Sequence, residues 1–230
     1  MKRTSGIIIL LMVLAAGCLD TKEAWPAVVD GSVLKDEGWV SAGDVQKQSQ
    51  TQNVAGANVK INMALMNYRD ELLAQNIAGQ VRKLSGITAK QASGATQFTS
   101  QLITTRLLLP AGISIPSEIM NRIIASQLEQ MGAQNNIRDF HETGSYKTTL
   151  VSGKVVSVKN YEGFIDFEGG SIKIRGMTSA WPESGSNIIV FAVLPAEDIV
   201  IMPSTGKPVS VKINGEKESQ KIIRLIQNVS

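Results

Sequence analysis

The stretch Phe164-Ile165-Asp166-Phe167-Glu168-Gly169-Gly170-Ser171-Ile172-Lys173-Ile174-Arg175 places two runs of alternating apolar and polar residues on either side of a glycine pair. Alternation with a period of two is typical of a half-buried strand, and a glycine pair favours a tight hairpin turn. One face of the predicted hairpin is apolar and the other is charged. With Gly169-Gly170 as the turn, the predicted cross-strand pairs are Phe167 with Ile172, Asp166 with Lys173, Ile165 with Ile174 and Phe164 with Arg175.

The sequence on both sides of this hairpin predicts more strands. Ser152-Gly153 indicates a second turn, between strands at 146–151 and 154–158. Asn187–Leu194 is almost entirely apolar, which is typical of a central strand covered on both faces. Lys60–Tyr68 and Phe98–Leu109 are earlier strand candidates. Because tight turns join antiparallel strands, we expect a mostly antiparallel sheet.

Helical spacing occurs before and after the strands. In the last predicted helix, Glu216 and Glu218 lie near the positive end of the helix dipole, and Lys221 and Arg224 lie farther along. The Ala/Ser/Gln/Thr-rich stretch Thr88–Thr96 is interpreted as a loop. A short helix is predicted to end at Gly38, just before Trp39. A second runs from Leu72 to Leu84 and stops at Gly86, and a third runs from Ile115 to Met131 with a cap at Gly132. The last covers Ile222–Val229.

These elements predict the fold class α+β. We expect one domain, 24–230, built from a twisted, mostly antiparallel sheet of about five to seven strands with packed helices.

The N-terminus has the three parts of a secretory signal peptide. Lys2 and Arg3 are followed by an unbroken apolar run, Ile7–Ala16, and then by Gly17-Cys18. A cysteine at the cleavage point indicates a lipoprotein signal, so we predict a signal peptide at 1–17, lipidation of Cys18 and a lipid-anchored tether at 18–23. The alternative is an uncleaved anchor helix, but the apolar run is shorter than the roughly 20 residues that span a bilayer.

Composition excludes several classes of function. Cys18 is the only cysteine, so the mature chain has no disulfide and no cysteine nucleophile. Removal of 1–17 lowers the formal net charge of +3, and the small remaining charge does not indicate a nucleic-acid partner.

The sequence offers no residues for a catalytic, cofactor or metal site. The single histidine, His141, stands in Asp139-Phe140-His141-Glu142, where the second histidine of a metalloprotease helix is missing. We therefore interpret His141 as part of a solvated loop. No serine-nucleophile or phosphate-binding motif is present, and Glu162 and Asp166 are expected to face Lys173 as surface ion pairs.

The chain resembles an uncharacterised family of archaeal membrane lipoproteins, a domain of unknown function. It departs from the family pattern at Glu71–Gly94, where an extra helix and loop are indicated. The family has no assigned activity and therefore implies no catalytic residues. The resemblance is carried by Ala15-Ala16-Gly17-Cys18, Ala24-x-Pro26-Ala27-x-Val29, Leu34, Gly38-Trp39, Gly153, Phe164, Leu194-Pro195 and Ile223-Arg224-Leu225-Ile226.

The sequence thus predicts a lipid-anchored protein on the outer face of the cytoplasmic membrane, in contact with the membrane through its anchor. Its expected role is a binding or assembly module of the cell envelope with a protein partner. The alternative is an extracytoplasmic enzyme with an unrecognised active site. A deep pocket with convergent polar groups would favour the enzyme, and a large exposed apolar patch would favour a protein partner.

Overall fold

A computed structural model describes residues 22–54, 57–110, 117–134, 136–203 and 206–230. Cys18 and the predicted signal peptide lie outside these residues. No helix within the described ranges is both long and apolar enough to cross a bilayer.

The described residues form five helices and ten strands. The helices are α1 (Gly31–Glu37), α2 (Glu71–Val81), α3 (Ala89–Gln97), α4 (Ser117–Gln134) and α5 (Gly215–Gln227). The strands are β1 (Trp39–Ser41), β2 (Gln46–Val54), β3 (Ala57–Asp70), β4 (Gln101–Leu108), β5 (Ile137–Thr149), β6 (Val155–Phe167), β7 (Gly170–Glu183), β8 (Ser186–Pro195), β9 (Ile199–Ile201) and β10 (Val209–Val211).

All ten strands belong to one antiparallel sheet, which confirms the α+β class. The main path through the sheet is β1-β3-β4-β8-β7-β6-β5, while β2 also pairs with β3, and β9 pairs with β7 and β10. The sheet has more strands than the five to seven expected. β1, β9 and β10 were not predicted because each has only three residues, and β2 was not predicted because 46–53 contains no apolar alternation.

Helices cover both faces of the sheet. On one face, α1 and α5 pack on a core that includes Trp39, Tyr68, Trp181 and Leu194. On the other face, α2 and α3 cover Ile172 and Ile174, and α4 covers a neighbouring cluster around Ile61 and Phe191. As predicted, β8 lies in the centre, with Ile188, Ile189 and Leu194 fully buried.

The glycine hairpin exists, but its predicted register was wrong by two residues. The turn is at Glu168-Gly169, and Gly170 lies opposite Phe167 while Ile165 lies opposite Ile172. This position of the ladder requires a glycine, because the Phe167 ring and the Val200 carbonyl oxygen leave no space for a Cβ at Gly170. A two-residue shift preserves the faces, so Phe167 and Ile172 lie on the core face as predicted.

Two helix predictions were also wrong in detail. The stretch predicted as a loop at Thr88–Thr96 forms α3, whose N-terminus has a capping box: Thr88 Oγ1 accepts from Gln91 N at 3.1 Å, and Gln91 Oε1 accepts from Thr88 N at 2.9 Å. Gly132 does not end α4, which continues to Gln134; instead Asn136 adopts the left-handed conformation, with φ of 51°. Ile115, the predicted first residue of this helix, lies outside the described residues.

The N-terminal segment is held against the C-terminal one. Val28 and Ser230 exchange two backbone hydrogen bonds of 2.9 Å, and Val29 forms a β-bridge with Val229. Ahead of this bridge, Ala24 is buried beside Ala64 and Leu108. The segment 24–29 therefore lies along the sheet and is not a loose linker.

Candidate functional site

An open cleft of about 930 Å³ lies at the end of β8, between α2 and the first turn of α5. The cleft begins directly after Pro195, the last residue of β8. Asn76 and Gln80 of α2 form one of its walls. The lining residues are Asn76, Gln80, Ala196, Glu197, Asp198, Val200, Lys212, Ile213, Asn214 and Gly215.

Hydrogen bonds to the backbone fix the walls of this cleft. The Gln80 side chain bonds the main chain of Lys212 in both directions, donating to its carbonyl oxygen at 2.9 Å and accepting from its N–H at 2.7 Å. Asp198 accepts from Lys212 Nζ at 2.6 Å and from Ile213 N at 2.9 Å, and these bonds hold the pKa of Asp198 below its ordinary value. The cleft is thus preformed, and its Glu197 and Lys212 side chains are exposed.

The start of α5 is docked firmly on the sheet. Gly215 lies so close to the Ala196 carbonyl that no Cβ would fit there. Arg175 Nη1 donates to Ser219 Oγ at 2.6 Å, and Ser219 Oγ donates to the Gly215 carbonyl at 2.8 Å. The sheet therefore positions the first turn of α5, which borders the cleft.

A buried group of three charged side chains joins α2 to α5. Lys221 Nζ lies 2.9 Å from Asp70 Oδ2 and 3.1 Å from Glu218 Oε2. The side chains of Asp70, Glu218 and Lys221 are 0%, 7% and 8% exposed. Asp70 is also the N-cap of α2, since its Oδ1 accepts from Leu73 N at 2.7 Å. This charged triad thus links the two helices whose residues line the cleft.

Two carboxyl groups share one ammonium in this triad, and the pKa values of Glu218 and Lys221 are shifted. Burial raises the pKa of Glu218 to about 7, although the Lys221 ammonium opposes the shift. Burial lowers the pKa of Lys221, but the hydrogen bond and charge of Asp70 more than offset this, so the pKa lies above its ordinary value. None of the three side chains lines the cleft. Their arrangement suits helix packing and gives a solvent-borne substrate no access.

Sequence reasoning did not identify this triad. It placed Glu218 and Lys221 only along the helix dipole, and both are buried. The available signal was spacing: Glu218 is four residues before Ile222, and Lys221 is four before Leu225, so both share the apolar stripe. Asp70 gave no signal beyond its position before a helix.

The charged residues that the sequence analysis selected lie elsewhere. His141 is exposed on the edge strand β5, opposite Glu162, so the predicted loop was wrong. Its ring Nδ1 lies 2.7 Å from the Asp139 carbonyl oxygen.

Lys173 pairs with Glu162 at 3.2 Å as predicted, whereas Asp166 bonds Arg138 of β5 through both carboxylate oxygens. No group of three or more potential metal ligands occurs within the described part of the chain.

Comparison with known proteins identifies a family. The family model described as a domain of unknown function, DUF6517, matches residues 26–230, so the chain belongs to that family. The matched range includes Glu71–Gly94, which folds as α2, the following connection and most of α3. No curated protein matches the chain. Among solved structures, a Pseudomonas aeruginosa protein of unknown function is similar at 11% identity, covering 64% of this chain and 83% of its own, with a TM-score of 0.24.

Proposed function

We propose that this member of the DUF6517 family is a lipid-anchored binding or assembly module of the cell envelope, held on the outer face of the cytoplasmic membrane through Cys18. The lipobox-like Ala15-Ala16-Gly17-Cys18 supports the anchor and the archaeal lipoprotein part of the resemblance. The partner in this proposal is another envelope protein, and the cleft at the end of β8 is the contact site.

The observation that carries the proposal is the preformed cleft. Its walls are held by side chain to backbone hydrogen bonds, so a partner would bind without first ordering the site. Exposed Glu197 and Lys212 offer both signs of charge, and Val200, which also lines the cleft and is 41% exposed, adds apolar surface. A mixed polar and apolar surface of this kind suits a protein segment.

The experiment is co-purification of the full-length chain from detergent-solubilised membranes after crosslinking. We expect Glu197→Arg to lose a neighbour that wild type retains, because the substitution reverses a charge and adds bulk within the cleft. Glu129→Arg, on the exposed side of α4, is the charge-matched control and should retain the neighbour.

Each other outcome contradicts a stated part of the proposal. If both variants retain the neighbour, the cleft is not the contact site. If wild type brings no neighbour at all, the chain is not a binding module. Equal melting temperatures of the three proteins show that a lost neighbour reflects the surface and not unfolding.

The alternative of an extracytoplasmic enzyme has less support. A carboxyl whose pKa is raised to about 7 is a common feature of active sites. Here, however, that carboxyl belongs to Glu218, which is buried with its ion-pair partners and lies outside the cleft.

A further inference from the structure

We infer that the end of the sheet carrying Trp25, Val151 and Val155 rests against the lipid surface that holds the anchor. This inference rests on the proposed lipidation of Cys18 and adds the orientation of the domain on the membrane. It follows from the length of the tether, from where the tether joins the fold, and from which side chains are exposed there.

The tether between Cys18 and the folded domain is short. The Lys22 carbonyl already accepts from Asn62 Nδ2 at 2.9 Å, and Glu23 pairs with Lys47 at 2.9 Å. Four residue steps therefore separate the lipid-bearing residue from the first fixed one, and an extended chain of that length spans about 14 Å. The headgroup layer alone takes up about 5–7 Å, so the domain cannot stand away from the bilayer.

The tether joins the fold at one end of the sheet. Asn62 pairs with Leu108, and Leu108 pairs with Ser186, so the anchored residue lies level with the end of β4 and the start of β8. Side-chain contacts at the same level connect this position with β8 and, through β7, with the β5–β6 turn. The Arg106 guanidinium lies 5.1 Å from the Trp25 ring and donates to Ser186 Oγ at 2.9 Å, and Lys154 Nζ lies 3.1 Å from Glu183 Oε2.

The side chains exposed at this end suit a bilayer interface. Trp25 is 46% exposed, and Val151 and Val155, on either side of the β5–β6 turn, are 77% and 60% exposed. Tryptophan prefers the membrane interface. Lys154, between the two valines in sequence, is held by its ion pair with Glu183. Beside the anchor, the β2–β3 hairpin runs from Asn62 to Ala57 past this level, and five residues of strand span about 17 Å. This hairpin carries exposed Thr51 and Lys60, so the end of the sheet meets the bilayer tilted, with the hairpin lying along the hydrated headgroup layer.

This orientation places the cleft on the side away from the membrane. β8 runs from Ser186 at the anchored end to Pro195, after which the cleft begins. Ten residues of strand span about 30 Å. The cleft is therefore presented to other envelope proteins and not to lipid.

The chain offers matched positions for a test. Trp39 and Trp181 are each 3% exposed, so Trp25 is the tryptophan that lipid can reach. Cys18 is the only cysteine, so a cysteine introduced at another position of the lipidated protein is labelled alone. Val155→Cys at the anchored end and Val200→Cys at the cleft both replace exposed valines on strands.

The experiment uses full-length lipidated protein in phosphatidylcholine vesicles, with and without phosphatidylglycerol, and brominated lipids as quenchers. We expect quenching of wild-type tryptophan fluorescence, and loss of the quenchable part in Trp25→Phe. A polarity-sensitive dye at position 155 should shift to the blue and be quenched, whereas the same dye at position 200 should do neither.

The inference is overturned if Trp25 is not quenched, or if the dye at position 200 responds as strongly as the dye at 155. A blue shift at 155 without vesicles would indicate contact with a second copy and would also overturn it. Intact mass distinguishes this failure from that of the proposed function: protein that lacks the lipid mass and leaves the vesicles contradicts the anchor itself.

Discussion

At the scale of single residues, the buried triad of Asp70, Glu218 and Lys221 has the clearest consequences. Burial of these three charged groups costs desolvation free energy, and within the triad Lys221 is the cation that compensates two carboxyl groups. Burial favours the neutral form of Glu218, so this carboxyl takes up a proton more readily than in water. Both properties lead to measurable predictions.

Glu218→Gln should flatten the pH dependence of stability. The folded state raises the pKa of Glu218 from 4.5 to about 7, so the folded chain binds more protons than the unfolded chain between these values. Stability therefore falls as pH rises from 4.5 to 7, and above pH 7 the ionised carboxylate carries the full penalty. We expect the variant to exceed wild type by about 1–3 kcal/mol at pH 8. Denaturant unfolding at pH 5 and pH 8 measures the difference.

Two outcomes of this unfolding experiment would contradict the prediction for Glu218. If Glu218→Gln shows the wild-type slope between pH 5 and pH 8, another group is responsible for it. A variant that loses stability at pH 8 would mean that the ionised carboxylate stabilises the fold.

Lys221→Met should destabilise the protein by about 3–5 kcal/mol, because it leaves two buried carboxyl groups without their cation. The control is Lys217→Met, the same substitution at an exposed position of α5, for which we expect a change within about 0.5 kcal/mol. Denaturant melts at neutral pH measure both. Similar losses in the two variants would show that the effect comes from helix propensity and not from the triad.

At the scale of elements, the β6–β7 hairpin depends mainly on its apolar face. Phe167 is half-buried among the residues that α2 and α3 cover, and its ring lies against Gly170. A Cβ at Gly94 of α3 would lie only 2.7 Å from Phe167 Cδ2, so the helix packs tightly on this ring. Phe167 therefore joins the hairpin to α3.

Phe167→Ala should cost about 2–4 kcal/mol through lost burial and the cavity left under α3. Asp166→Ala is the matched control on the opposite face of the same strand, where an exposed ion pair with Arg138 is the main loss. We expect its melting temperature to remain close to that of wild type. Comparable destabilisation of the two variants would mean that the apolar face is not the one that holds the hairpin.

The comparison of sequence and structure has a physical basis at this scale. Apolar patterns located β3, β4, β8 and α5, because burial on one face selects apolar residues at a fixed spacing and burial on both faces selects a continuous apolar run. They could not set the hairpin turn, since either Glu168 or Gly170 could share the turn with Gly169, and only the contacts of Gly170 with Phe167 and Val200 decide. Thr88 and Gln91 could have revealed α3 through their capping box. The triad could not be found, because the partner of Lys221 comes from a distant strand end.

At the scale of the whole molecule, the proposals depend on the anchor. Cys18→Ser should abolish both signal processing and membrane retention, because the lipid is attached to the cysteine sulfur and the remaining apolar run is short for a spanning helix. Membrane fractionation with intact mass measures both effects. A variant that stays in the membrane pellet at the wild-type mature mass would contradict lipidation at this residue.

The pairing of Val28 and Val29 with Ser230 and Val229 has a consequence for biogenesis. Val28 and Val29 obtain these backbone partners from residues that are synthesised after every described strand of the sheet. Contacts so distant in sequence form late, since the loop between them must close first. In the proposed lipoprotein, the N-terminal segment can therefore reach the membrane and receive its lipid before the bridge forms. Deletion of the last few residues should leave an anchored chain whose N-terminal segment is undocked.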